Sequence, residues 1–136
     1  MLNLEHVKEQ LNKWSFNYDN NIVPGHSTYK VKWVLPVGPV MVIASEEATS
    51  YLFGFNGEGI YIFPVTGDWN IMDKCLLEWK NIIKFEIKKG ILLENTMNIT
   101  TNEMNVSLKI NKMVAGNSWV KENVKKLEEM NYYYKQ

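Results

Sequence analysis

Histidine, cysteine and carboxylate side chains are the groups in this chain that could support catalysis or bind a metal ion. The two histidines, His6 and His26, are twenty residues apart, and neither belongs to a His-x-x-x-His pattern. A metal site needs three or four ligands at short spacing, and the chain has neither paired cysteines nor an Asp-x-Asp run to complete one. We therefore predict no metal site and no cofactor.

Cys75 is the only cysteine of the chain. It alternates with Leu77 and Trp79, as an inward-facing strand residue does, whereas a nucleophilic cysteine needs surroundings that stabilise its thiolate. A single cysteine fits a reducing compartment, and residues 1–12 carry scattered charges instead of the apolar core of a signal peptide. We predict a structural role for Cys75 and a cytoplasmic location.

Paired carboxylates and closely spaced glycines are also present, but they match no catalytic or phosphate-binding pattern. Their positions favour solvated turns and a hairpin. No nucleophile elbow of the Gly-x-Ser-x-Gly type occurs either. We therefore predict that the protein is not an enzyme. The residues considered are Glu46 with Glu47, Asp68 with Asp73, and Gly54, Gly57 and Gly59.

The charge of the chain is balanced but unevenly distributed. Fifteen lysines oppose fifteen acidic residues, and arginine is absent. A net charge of zero argues against nucleic-acid binding, and the missing guanidinium groups remove the side chain best suited to bidentate phosphate recognition. Residues 79–126 nevertheless contain nine lysines and four glutamates, which predicts a mildly basic face.

Six residues are candidates for binding. Three lysines fall on the polar phase of predicted strands and two lie beside turns. Lysines on wet strand positions also prevent edge pairing, so an ordinary solvated face is the alternative interpretation. A tryptophan in the loop 66–70, and the tyrosines 132–134, either anchor a partner or fold back onto the protein. The candidates are Trp69, Lys84, Lys88, Lys89, Lys109 and Lys112.

Hydrophobic periodicity predicts the elements that would position these residues in a single domain spanning residues 1–136. Apolar spacings of three and four predict a helix within residues 1–15 and another over 118–132. Between them, residues 17–25 indicate turns, and alternation predicts antiparallel strands from 28 to 112, the first over 28–35. Asn56-Gly57 predicts a hairpin through positive backbone angles, and Ile83 and Phe85 are expected to face inward.

About seven antiparallel strands followed by an amphipathic helix predict a mainly β (α+β) fold. We expect a split barrel or sandwich whose open end is capped by the C-terminal helix. The longest apolar stretch, residues 33–44, is twelve residues long and interrupted by prolines, which is too short to span a membrane.

This order of elements resembles the pleckstrin-homology-like domains of bacteria. Residues 59–63 look like the fourth-strand hairpin arm of that family, and residues 77–90 are similar to its bend and following strand, which ends in Lys-Gly. Residues 109–112 and 119–127 resemble its closing strand and helix. The resemblance implies a seven-stranded split barrel, here with an extra N-terminal helix.

The resemblance also implies a non-enzymatic binding module. Lipid-binding members carry basic residues around the loop between the first two strands, whereas here residues 36–39 are uncharged, although Lys30 and Lys32 precede them. We therefore expect a protein partner or a homo-oligomer. The alternative is a carrier of a small anionic ligand or lipid headgroup that uses the open barrel end and the lysine face, with weak contact to anionic membranes.

Overall fold

The computed structural model describes the backbone of residues 1–27, 32–35, 41–44 and 50–134, and the side chains of residues 1–27 and 50–134. The helices are α1 (Leu4–Lys13) and α2 (Ser118–Glu129). The strands are β1 (Ile22–His26), β2 (Lys32–Leu35), β3 (Met41–Ala44), β4 (Ser50–Phe55), β5 (Gly59–Pro64), β6 (Cys75–Glu78), β7 (Ile82–Lys88), β8 (Glu94–Thr101) and β9 (Asn105–Asn111). Short 3-10 helices lie at Trp79–Asn81 and Asn131–Tyr133.

Seven strands form one antiparallel sheet in the order β6-β5-β4-β1-β9-β8-β7, and β2 pairs with β3 in a separate hairpin. Two series of neighbouring strands, β4 to β6 and β7 to β9, are therefore joined side by side through β1. The prediction of a mainly β, antiparallel fold with an N-terminal and a C-terminal helix is confirmed.

The predicted split barrel is not confirmed, because the seven strands form one open sheet. Strands β6 and β7 stand at its two edges. They are consecutive in the chain, but the 3-10 helix Trp79–Asn81 separates them where a hairpin turn would have paired them. The backbone N–H of Trp79 donates to the Glu58 carbonyl at 3.0 Å and its indole N–H donates to the Asn56 carbonyl at 2.8 Å. These bonds tie this segment to the β4–β5 turn.

Strand β1 is the element that differs most from the prediction. The sequence pattern predicts a turn at Pro24 and Gly25 and a sheet that begins at residue 28. The Asn21 carbonyl accepts the Phe55 N–H at 3.0 Å, so residues 21, 23 and 25 direct their backbone groups toward β4. Pro24 therefore faces β9, and the β1–β9 register begins only at Gly25. The sheet therefore loses no hydrogen bond through the missing N–H of Pro24.

The position of Ile83 also differs from the prediction. The register between β7 and β8 shifts between Ile82 and Lys84, which is a β-bulge. The extra residue reverses the inward and outward phase at this point. As a result Ile82 is buried and Ile83 is 59% exposed, while Phe85 faces inward as predicted.

The predicted β4–β5 hairpin is confirmed, but the positive backbone angle predicted for its turn is not. Gly57 does not have a positive φ; among the described glycines only Gly116 does. The Asn56 side chain instead accepts the N–H groups of Glu58 at 2.9 Å and Gly59 at 3.3 Å. Asparagine thus stabilises the turn through its side-chain oxygen, a common device of Asx turns.

Apolar side chains form two buried clusters. The first cluster contains residues from all seven strands of the large sheet together with Val124 and Leu127 of α2, so one face of the sheet packs on this helix. The second cluster joins Val7 and Leu11 of α1 to the opposite face of β1, β4 and β5. These three strands are consequently buried on both faces, whereas helix α1 leaves the outer face of β7, β8 and β9 uncovered.

Candidate interaction surface

Trp69 lies in the loop between β5 and β6, as predicted. Its N–H donates to the Thr66 carbonyl at 2.9 Å, and its backbone has a φ of 64°. The Thr66 hydroxyl accepts the Asp68 and Asn70 N–H groups at 3.3 and 3.1 Å. The indole is half-buried against the second cluster. The tight loop therefore turns Trp69 back onto the protein.

Three of the five candidate lysines share the outer face of β7, β8 and β9. Lys84 pairs across the strands with Thr100, and Lys88 pairs with Thr96. Lys109 pairs with Thr96 from the other side and donates to its hydroxyl at 2.9 Å. Because side chains alternate along a strand, these rows form one wet polar surface. An open groove on it is lined by Lys84, Glu86, Lys88, Thr96, Asn98, Thr100, Asn105 and Ser107.

Lys89 and Lys112 lie elsewhere, beside the β7–β8 turn and α2. The Lys89 ammonium is 3.9 Å from the Glu128 carboxylate of α2. The Lys112 ammonium donates to the Gly90 carbonyl at 2.7 Å. The predicted lysine face is therefore two surfaces, which meet at the β7–β8 turn.

That turn exposes three consecutive aliphatic side chains, none of which is among the predicted binding residues. Ile91 is 97% exposed, Leu92 81% and Leu93 57%, and the nearby Met113 is 44% exposed. We call these four residues the apolar tip. Most other large apolar side chains described lie within or against the two clusters, so an exposed run of this kind marks a candidate interaction site. Three aliphatic residues directly after Lys89-Gly90 were the available sequence signal.

The apolar tip is held in place by hydrogen bonds at both of its ends. The buried Asn95 side chain accepts the Gly90 N–H at 3.0 Å. The Lys112 backbone N–H donates to the Leu93 carbonyl at 2.7 Å, in addition to the bond from its ammonium to Gly90. The turn therefore presents its aliphatic side chains from a fixed backbone.

Lysines surround the apolar tip. Leu92 lies between two open grooves, one against α2 and one against β8 and β9. Four lysines line these grooves, and Lys89 lies beside them against Glu128. The two glutamates that line these grooves already have cationic or titratable neighbours, since Glu128 faces Lys89 and Glu94 lies 3.0 Å from the His26 imidazole. We call the five lysines the lysine rim: Lys89, Lys109, Lys112, Lys121 and Lys125.

Cys75 faces inward from β6, as predicted, and is 1% exposed within the first cluster. Burial, with a smaller contribution from the nearby Asp73 carboxylate, raises the pKa of its thiol to about 12. A thiol with so high a pKa is protonated at neutral pH and is a poor nucleophile. The surroundings of Cys75 therefore fit a packing role.

We expect Cys75 to react with a thiol reagent at least about a hundredfold more slowly in the native protein than in the unfolded chain, because reaction requires local opening. The folded pKa of about 12 exceeds the ordinary value of 9.0, so the folded state retains a proton that the unfolded chain loses. Stability should therefore fall as pH rises from about 9 toward 12. Urea unfolding at several pH values checks this. Cys75→Ala should reduce this decline, to which Tyr61 also contributes because burial raises its pKa to about 12. Rapid labelling of the native protein would contradict the burial of Cys75.

The remaining titratable candidates are dispersed. The His6 imidazole is 2.8 Å from the Asn70 side-chain oxygen, and His26 faces Glu94 on the outer sheet face. Asp68 is exposed in its loop, and Asp73 accepts the Lys74 N–H at 2.7 Å. Within the described ranges, no three histidine, cysteine or acidic side chains gather as a metal site would require. The lysines at 30 and 32 and the glutamates at 46 and 47 have side chains outside those ranges.

Comparison of the chain with protein-family models, with curated proteins and with solved structures found no match. Neither helix of the described structure combines the length and the apolar character that crossing a membrane requires.

Proposed function

We propose that this chain is a non-enzymatic binding module of the pleckstrin-homology-like class whose working surface is the apolar tip with its lysine rim. The observation that carries this proposal is the solvent exposure of residues 91–93, which stand on a hydrogen-bonded turn while both clusters are filled by other side chains. Exposed contiguous apolar surface is costly in water unless something covers it during function.

Support for the class comes from the arrangement of the elements. Seven antiparallel strands in succession, apart from the β2–β3 hairpin, are followed by α2, which packs against the face that all seven share. These are the elements that the sequence resemblance implies. Helix α1 and the β2–β3 hairpin are additions to them.

Support for a role without catalysis comes from the reactive side chains. Cys75 is buried with a raised pKa, and His6 and His26 contact different partners on different elements. A catalytic site brings nucleophile, base and orienting group within hydrogen-bond reach of one another. A binding module in the cytosol needs no such arrangement.

A protein partner, or a second copy of this chain, remains the proposal that the sequence favours. The apolar tip replaces Trp69 and the terminal tyrosines as the place of contact. Trp69 packs half-buried on the second cluster, and Tyr132 is buried in the first. Tyr134 packs against Trp79, with ring centroids 5.4 Å apart. Aromatic residues that serve the fold are poor candidates for anchoring a partner.

The experiment compares the wild-type protein with the double variant Ile91→Ser, Leu92→Ser. Mass measurement in solution reports self-association, and cross-linking in a native cytosolic extract reports contact with other proteins. We expect the double variant to lose the complexes that the wild type forms. Ile83→Ser is the matched control, because it removes an exposed isoleucine from the edge strand β7. Complexes that survive the double variant would contradict the assignment of the tip as the working surface.

A small anionic ligand on the outer sheet face is the second candidate function. The observation that favours it is the groove in which Lys84 and Lys88 lie among hydroxyl and amide side chains. Titration with inorganic phosphate, followed by the NMR shifts of the outer-face amides, tests it. Lys84→Gln should weaken the response, and Lys121→Gln should not.

A further inference from the structure

We propose that the apolar tip inserts into the surface of an anionic lipid bilayer and that the lysine rim then lies against the lipid headgroups. This inference rests on the proposed function only in taking the apolar tip as the working surface.

The exposure of the tip favours a lipid bilayer over a protein as its partner. Ile91 is 97% exposed and Leu92 81%, so almost no protein surrounds either side chain. A protein partner must offer a complementary pocket to bury such a protrusion, whereas a bilayer closes around it. The grooves on both sides of Leu92 are open, which leaves the tip free to enter a surface.

The charges around the tip favour an anionic surface. The lysine rim contributes five positive charges, and the acidic residues that line the two grooves are Glu94 and Glu128. Glu122 and Glu129 of α2 line neither groove. Each lysine near an anionic bilayer adds to its binding, and the effect of the rim is largest at low ionic strength.

The backbone of the tip is organised before binding. Gly90 is held by Asn95 and Lys112, and Leu93 is held by the Lys112 N–H. A turn that is already ordered loses little conformational entropy when it binds. Apolar insertion and lysine attraction can therefore both contribute to affinity.

The first test is co-sedimentation of the purified protein with vesicles of phosphatidylcholine alone or mixed with phosphatidylserine. We expect binding to the mixed vesicles only, weakened by added salt. The variant Ile91→Ser, Leu92→Ser should weaken binding by about tenfold or more, with Ile83→Ser as its control. The variant Lys121→Gln, Lys125→Gln should weaken binding by about fivefold per lysine. The control is Lys13→Gln, Lys80→Gln, which removes two exposed lysines that belong neither to the rim nor to the outer-face groove.

The second test reads insertion directly. An environment-sensitive dye on Leu92→Cys should shift to shorter wavelength when mixed vesicles are added, and the same dye on Ile83→Cys should not. Cys75 is 1% exposed, so labelling of the native protein reaches the introduced thiol.

Equal binding to both kinds of vesicle, unchanged binding of the tip variant, or no dye shift at position 92 would overturn the lipid inference. If the tip variant instead abolishes self-association or protein cross-links, the lipid inference fails and the proposed function stands. If the tip variant changes no form of binding, both fail.

Discussion

Replacing Gly25 by alanine should lower the free energy of unfolding by about 3 kcal/mol or more. An added Cβ at this position would collide with the Lys109 carbonyl oxygen and with the Phe53 ring. Gly25 stands at the junction of the sheet, where β1 pairs with β9 through Gly25↔Ile110 and His26↔Lys109. Backbone atoms of a central strand cannot move aside as a flexible side chain can, so the clash must separate the two strands.

Urea unfolding followed by circular dichroism measures the effect, and Gly57→Ala is the matched control. No atom lies within 4 Å of the Cβ that this control would add, and the φ of Gly57 is not in the left-handed region. Alanine there should be neutral or stabilise by up to about 1 kcal/mol, because it restricts the unfolded chain. Equal stability of the two variants would contradict the close approach of β1 and β9.

Replacing Phe55 by alanine should cost about 3–5 kcal/mol, the usual range for a large aromatic side chain removed from a core. Phe55 is fully buried, with its ring centroid 5.2 Å from that of Tyr132 and 6.4 Å from that of Phe85. Phe85 in turn packs against Trp79 at 5.4 Å and against Tyr134 at 5.3 Å. This aromatic group joins β4 and β7 to the segment that follows α2, so its loss leaves a cavity with few side chains able to fill it.

Leu92→Ala is the control for Phe55→Ala, because Leu92 is 81% exposed and its truncation should change stability by less than about 0.5 kcal/mol. Thermal unfolding of both variants gives the comparison. A small loss at Phe55 would indicate that the aromatic group is loosely packed. A large loss at Leu92 would show that the tip supports the fold, and the binding tests on the tip would then need a milder substitution.

These two predictions separate fold from function. Gly25 and Phe55 hold together the two series of strands and α2, and the apolar tip stands where β7, β8 and α2 approach one another. Variants at Gly25 or Phe55 are therefore expected to lose binding only through unfolding. Variants at Ile91 and Leu92 should lose binding with the fold intact.

Local patterns were sufficient for much of the architecture. Alternation placed Cys75 and Phe85 inward, and the structure confirms both. The same alternation placed Lys84 and Lys88 on the wet face, where they lie. Such predictions succeed because buried and exposed side chains alternate every two residues along a strand with one buried face, whatever the neighbouring strands are.

Other predictions failed where a distant segment decides the outcome. Pro24 and Gly25 indicate a turn when read locally, but a central strand accepts them because Pro24 faces β9 beyond the paired register and Gly25 admits the Lys109 carbonyl. The bulge that exposes Ile83 likewise depends on the pairing with β8. The sequence of one strand alone does not determine its register with a partner strand.

The sequence by itself determined the β-rich class, the amphipathic terminal helices and the wet positions of the lysines, because each follows from periodicity within one segment. The tertiary structure alone decided that residues 91–93 stand exposed, that Lys89 and Lys112 separate from Lys84 and Lys88, and that the sheet stays open. Burial depends on which distant elements cover a side chain. From sequence alone, a run of aliphatic residues is therefore predicted to be buried. Only the fold shows that none of the described elements covers this run.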